Sequence, residues 1–166
     1  MATPRVARPT VASPRASAPE SAPAPNPPIT EREAARRLWA GADAARAAGD
    51  AARAAQQLEQ LLREHPDDPR ASLAAFTLGT VLEGEPRQPA RAAHAFRRAL
   101  ELGLPTALLD TCYARLAEAL YVAGDKPGVR ALAAEYRAAF PRGKQRSALE
   151  ALERRAAAPP ASGSLR

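Results

Sequence analysis

GDAARAAQQLEQLLREHP, residues 49–66, and GDKPGVRALAAEYRAAFP, residues 124–141, decide how this chain folds. Each opens on Gly-Asp, each closes on a proline 17 residues after its glycine, and the two begin 75 residues apart. Glycine accepts the left-handed backbone that ends a helix, and an aspartate that follows it can take up N–H groups which a new first turn leaves without partners. Matching turns followed by matching lengths imply matching helix pairs. Half of the interval predicts a copy between them. The small residues Ala42, Gly79 and Ala117 stand 37 and 38 residues apart, and Leu61, Ala99 and Tyr136 stand 38 and 37 apart, which is the signature of a helical repeat.

The start and stop signals continue outward from these turns. Thr30 with Glu33 three residues on reads as a capping box, with Ile29 as its hydrophobic staple, and opens a first helix running to Gly49. Asp50 caps a second over 51–65, in which Leu58, Leu61 and Leu62 share a face until Pro66 ends it. Asp68-Pro69 reads as cap and first turn of a third, carrying Leu73, Phe76, Leu78 and Leu82. After a longer turn at 84–88, Pro89 opens a fourth with Ala92, Phe96, Ala99 and Leu100, closed by Gly103. A fifth follows Pro105, striped by Leu108, Tyr113, Leu116, Leu120 and Tyr121. Asp125 caps a sixth that ends at Phe140-Pro141, and a seventh spans about 144–157 with Leu149 and Leu152 on one side.

Composition agrees with an all-α chain. Alanine makes up about a quarter of the 166 residues and aromatics only 4%, leaving too few β-branched and aromatic side chains for a sheet. The single cysteine, Cys112, forms no internal disulfide, and with only His65 and His94 beside it no zinc-type spacing exists. The net charge of +6 is spread out. Arg5, Arg8 and Arg15 against Glu20 give the first 28 residues a surplus of two, and no basic run is interleaved with aromatics, so nucleic acid is not the expected partner. No stretch is long and apolar enough to span a membrane, and the amino terminus lacks the apolar centre of a secretory signal. Residues 1–28 hold eight of the 17 prolines and read as a disordered Pro/Ala/Ser linker; 29–157 form the helical domain and 158–166 a disordered tail. The expected compartment is the cytoplasm if Met1 is the true start, and the periplasm if the chain is a fragment of a longer regulator.

The repeat resembles the tetratricopeptide family. Tyr113, Leu116, Ala117 and Leu120, the turn Gly124-Asp125, then Val129, Ala133 and Pro141 follow its pattern most closely. Leu38, Gly41, Ala42 and Ala45 with Gly49-Asp50, Ala54, Leu58 and Pro66 form another copy. Leu78-Gly79, Leu82, Ala92 and Phe96 form the middle one, which departs in its longer turn and in Leu104, which stands where the proline would, with Pro105 one residue late. The resemblance implies a right-handed α-solenoid of three helix pairs with a C-terminal capping helix. In it, Ala42, Gly79 and Ala117 mark where paired helices approach most closely. The Ala- and Arg-rich repeats are also similar to the C-terminal domains of FecR-like and anti-sigma regulators and to envelope-assembly lipoproteins.

Catalysis is not expected. His65 lies in a last helical turn, His94 on an outward side, Cys112 at the start of a packed helix and Asp67-Asp68 at a helix start, where carboxylates cap. No cofactor or metal is implied. The resemblance implies instead a concave groove lined by the first helix of each pair: Arg36, Trp39, Asp43 and Arg46; Phe76, Thr80 and Glu83; Thr111, Ala114, Glu118 and Tyr121. Trp39, Phe76 and Tyr121 flanked by both charge signs have the composition of anchors within a polar rim, while in an alanine-rich chain Trp39 and Phe76 are equally suited to packing. The expected function is a non-enzymatic adaptor holding a protein or peptide segment. The alternative is the C-terminal interaction or regulatory module of a larger membrane-anchored regulator or envelope-assembly protein.

Overall fold

The computed structural model describes residues 29–158. The segment 1–28 and residues 159–166 of the expected tail lie outside them. Every regular element among the described residues is a helix: α1 (Ile29–Ala47), α2 (Ala51–Glu64), α3 (Ala71–Glu83), α4 (Pro89–Glu101), α5 (Thr106–Val122), α6 (Lys126–Ala139) and α7 (Arg146–Ala157).

The two Gly-Asp turns have the same structure. Gly49 and Gly124 sit at φ 74° and 79°, a backbone that costs any residue with a Cβ roughly 1–2 kcal/mol. Gly49 N–H donates to the Arg46 carbonyl at 3.1 Å and Gly124 N–H to the Tyr121 carbonyl at 3.0 Å. Asp50 N–H reaches back to the Ala45 carbonyl, and Asp125 N–H to that of Leu120, both at 2.9 Å. The Asp50 carboxylate then accepts from Arg53 N–H at 2.9 Å, and Asp125 from Gly128 N–H at 2.8 Å. The helices that follow are both 14 residues long and end at His65 and Phe140 with like backbone angles, φ −133° and −129°. Thus α1–α2 and α5–α6 share one hairpin turn. In α3–α4 the chain turns through 84–88 with Gly84 at φ −70°, while Gly103 at φ 79° closes α4 in the left-handed region.

Two expected caps fall elsewhere. Because α1 begins at Ile29, Thr30 lies inside its first turn rather than ahead of it. α3 begins only at Ala71, after a cap position at Arg70 that has no side-chain bond, so Asp68 does not serve as the N-cap. Its buried carboxylate instead takes Arg70 Nε at 2.9 Å and Nη2 at 3.0 Å. The same carboxylate also accepts from the Arg70 backbone N–H at 2.9 Å, so one residue satisfies it through both main chain and side chain.

Each helix packs on the next along the chain, and α5 also packs on α7. The core is built from alanine and leucine around a few large side chains, of which Phe96 and Tyr136 are fully buried. Ala42, Gly79 and Ala117 are all buried, as positions of close approach require. At Gly79 the approach leaves no room for a side chain. A Cβ there would lie 2.6 Å from the Phe96 ring, so the α4 aromatic rests directly on the α3 backbone. Side chains also join alternate helices. Arg91 of α4 pairs with Glu59 of α2, and Arg97 of α4 with Glu135 of α6 at 2.9 Å. Arg115 of α5 reaches Glu83 of α3 at 2.6 Å, and Arg155 of α7 lies over the Tyr121 ring of α5 at 4.7 Å. Side chains thereby link α2 to α4 to α6, and α3 to α5 to α7.

Replacing Gly79 by alanine should lower the unfolding free energy by about 1–3 kcal/mol, the cost of overpacking a filled core. Gly84→Ala should stay within about 0.5 kcal/mol of the native chain, since its Cβ meets only the Val81 carbonyl, at 3.5 Å. Urea titrations of the two variants separate these outcomes; equal midpoints would show that Phe96 has room to move aside.

Candidate partner-binding groove

The predicted groove residues lie on the odd-numbered helices at matching spacings. On α1, Arg36, Asp43 and Arg46 are exposed and Trp39 is half-buried against the core. Asp43 and Arg46 pair with each other at 3.1 Å. On α3, Phe76 is half-buried with its ring edge-on to Phe96, centroids 5.7 Å apart. The Thr80 hydroxyl donates to the Phe76 carbonyl at 3.1 Å. On α5, Thr111 and Glu118 are exposed, Ala114 is half-buried, and half-buried Tyr121 carries the Arg155 guanidinium.

Several of these positions meet across helices. Arg46 and Thr80 line one depression together with Gly49, Ala51 and Val81. Arg36 lines another with Arg32, Asp68, Pro69 and Arg70. Thr80 and Glu83 are drawn to α5 by Arg115, whose Nη1 lies 3.5 Å from the Thr80 hydroxyl and 2.6 Å from the Glu83 carboxylate. Thr111 and Glu118 make no side-chain hydrogen bond to the other groove positions among the described residues. Sequence reasoning missed Arg115 and Arg155. Arg115 had a readable signal, since it follows Thr111 by four and precedes Glu118 by three, on the same face of one helix. Arg155 had none, because its role depends on α7 returning to α5.

Asp68 ahead of α3, and Cys112 and Tyr113 within α5, are shifted from their ordinary values. The Arg70 guanidinium keeps the Asp68 carboxyl below its ordinary range, against the opposing effect of burial. Burial pushes the Cys112 thiol up to about 12, with its Sγ 3.5 Å from the Phe96 carbonyl. Burial, and then the 2.8 Å hydrogen bond to Glu135, push the Tyr113 hydroxyl up to about 12. At neutral pH these shifts favour the carboxylate of Asp68, the thiol of Cys112 and the phenol of Tyr113. His65 is half-buried beside Asp67 and Asp68, and His94 is exposed. No group of three or more His, Cys, Asp and Glu suited to a metal ion occurs among the described residues, and no described helix is long and apolar enough to cross a membrane. Compared with family models, with curated proteins and with solved structures, the chain matches none.

Two outcomes follow from these environments. Asp68 has a folded pKa below its ordinary value of 3.8, so its ionised form stabilises the fold above that pH and the contribution is lost as pH falls through the folded value. The gap in unfolding free energy between native chain and Asp68→Asn should therefore be full at neutral pH and close in acid; a gap independent of pH would exclude the Arg70 pair as its source. Cys112 should stay unreactive to a disulfide reagent near neutral pH until denaturant unfolds the chain, and rapid labelling of the folded protein would contradict its burial.

Proposed function

We propose that the chain is a non-enzymatic adaptor of tetratricopeptide type. In this reading α1–α2, α3–α4 and α5–α6 are the three helix pairs of a right-handed solenoid, α7 caps the last, and a partner segment lies across the odd-numbered helices. The observation that carries it is the residue-for-residue repetition of the Gly49-Asp50 turn at Gly124-Asp125, together with the side-chain links that run from α3 to α5 to α7. Repeated hairpins of this kind cannot bury their apolar faces singly and do so against their neighbours, leaving an extended surface on one row of helices.

The surface has the chemistry of a recognition site. Trp39, Phe76 and Tyr121 each have one side held by the core or by Arg155 and the other partly open, so they are rigid before a partner arrives and lose little side-chain entropy on binding. Arg36, Asp43, Arg46, Glu83 and Glu118 surround them with both charge signs, suited to orienting a segment rather than to a simple charged polymer.

Trp39→Ala combined with Tyr121→Ala should reduce recovery of a co-purifying partner by about tenfold or more, as removal of two anchors does. Arg36→Glu, an exposed change that leaves the core untouched, should reduce it as well. Equal recovery by native and variant chains of unchanged helicity rejects this groove.

A further inference from the structure

We propose a second docking site on the even-numbered helices: the cleft between α2 and α4, fitted to an acidic, leucine-type amphipathic segment of a partner protein. The cleft is lined by Leu62 of α2, Leu78 and Leu82 of α3 and Ala95 of α4, with Glu59, Arg63, Arg91, His94 and Arg98 around them. Leu78, Leu82 and Ala95 are buried and Leu62 is half-buried, so they form an aliphatic floor. The floor follows from helix spacing: Leu78 and Leu82 are one turn apart on α3, and α2 and α4 stand on either side.

The rim is basic, three arginines against the single carboxylate of Glu59. Arg91 is engaged by Glu59 and Gln88. The other two are weakly held. Arg63, whose side chain is 68% exposed, has its nearest carboxylate at 3.7 Å on the adjacent Glu64, and Arg98 lies 3.4 Å from Glu101. A charge-assisted hydrogen bond closes to about 2.7–2.9 Å, so both guanidinia retain donors for an incoming anion. Arg97, the next residue along α4, makes the contrast: it is held at 2.9 Å by Glu135 of α6.

Length selects the occupant. Arg91, His94, Ala95 and Arg98 form one stripe over two turns of α4, roughly 10 Å of axis. A single carboxylate or phosphate headgroup cannot satisfy such a rim, whereas carboxylates repeating at helical spacing beside leucines can. The chain's own segment 1–28 has the wrong sign, with Arg5, Arg8 and Arg15 against Glu20, and the far end adds Arg166. A nucleic acid would supply charge but find no aromatic platform on this aliphatic floor.

The test uses the full chain and a fluorescein-labelled peptide of repeated Glu-Glu-Leu-Leu, followed by anisotropy. Saturable binding is expected, weakened about tenfold or more when serine replaces the leucines, when glutamine replaces the glutamates, or in Arg63→Glu plus Arg98→Glu. These are exposed substitutions, and circular dichroism checks the fold. Trp39→Ala plus Tyr121→Ala should leave the affinity unchanged, which separates this site from the groove on the odd-numbered helices. Methyl resonances of Leu62, Leu78 and Leu82 should shift on titration. Absence of saturable binding, equal binding of the serine peptide, unaltered affinity in the double arginine variant, or displacement by an RNA at equal charge concentration overturns the proposal.

Discussion

Phe96 resting on the backbone of Gly79 shows the constraint on which the rest depends. A chain that is about a quarter alanine buries little apolar area per side chain, so it must gain stability by bringing helix backbones close and filling the seams without gaps. Dispersion falls away within an ångström of separation, so seam positions such as Ala42, Gly79 and Ala117 control how much the alanines contribute. The few large residues then act as fixed points. Tyr136 is fully buried, donates to Asp110 of α5 at 2.6 Å and accepts from the Gln145 N–H at 3.1 Å. One satisfied hydroxyl thus ties α6 to α5 and to the residue before α7. The corresponding positions, Leu61 and Ala99, have no such group and contribute through packing.

The arginine excess has a structural use that accounts for much of the apparent basicity. Of the 24 basic residues 22 are arginine, and Arg91, Arg97, Arg115, Arg137 and Arg155 each reach from one helix to another. A long stem ending in a planar fork spans the gap between neighbouring hairpins where lysine offers only a point charge. Each pair is partly exposed and contributes little to stability singly, but together they use glutamates as partners and leave the surface charge mixed. A high isoelectric point therefore says little about nucleic acid here, because several of the cations that raise it are engaged between helices.

Local signals made the helices readable. Gly49, Gly103 and Gly124 stop helices because of a backbone angle that a single residue sets, and Asp50 and Asp125 start them through a bond within three residues. The same logic failed at Asp68 and Thr30. Asp68 does hold a backbone N–H, that of Arg70, but α3 begins only at Ala71, and the same arginine's guanidinium closes on the carboxylate as well. Thr30 was passed over because the helix had already begun. Arg115 was readable from its spacing on α5 and was missed. The α2–α4 cleft was not readable, because its floor comes from a third helix and its depth from a distance between elements that are not neighbours in the chain.

α3 stands at the junction of the two proposed surfaces. Its Thr80 and Glu83 meet Arg115 of α5, while Leu78 and Leu82 line the cleft between α2 and α4. Gly79 lies between these two sets, in contact with Phe96, so a rotation of α3 that opened one surface would drive its backbone into the α4 ring. The packing seam therefore resists adaptive movement on either side and favours partners that fit the helices as they stand.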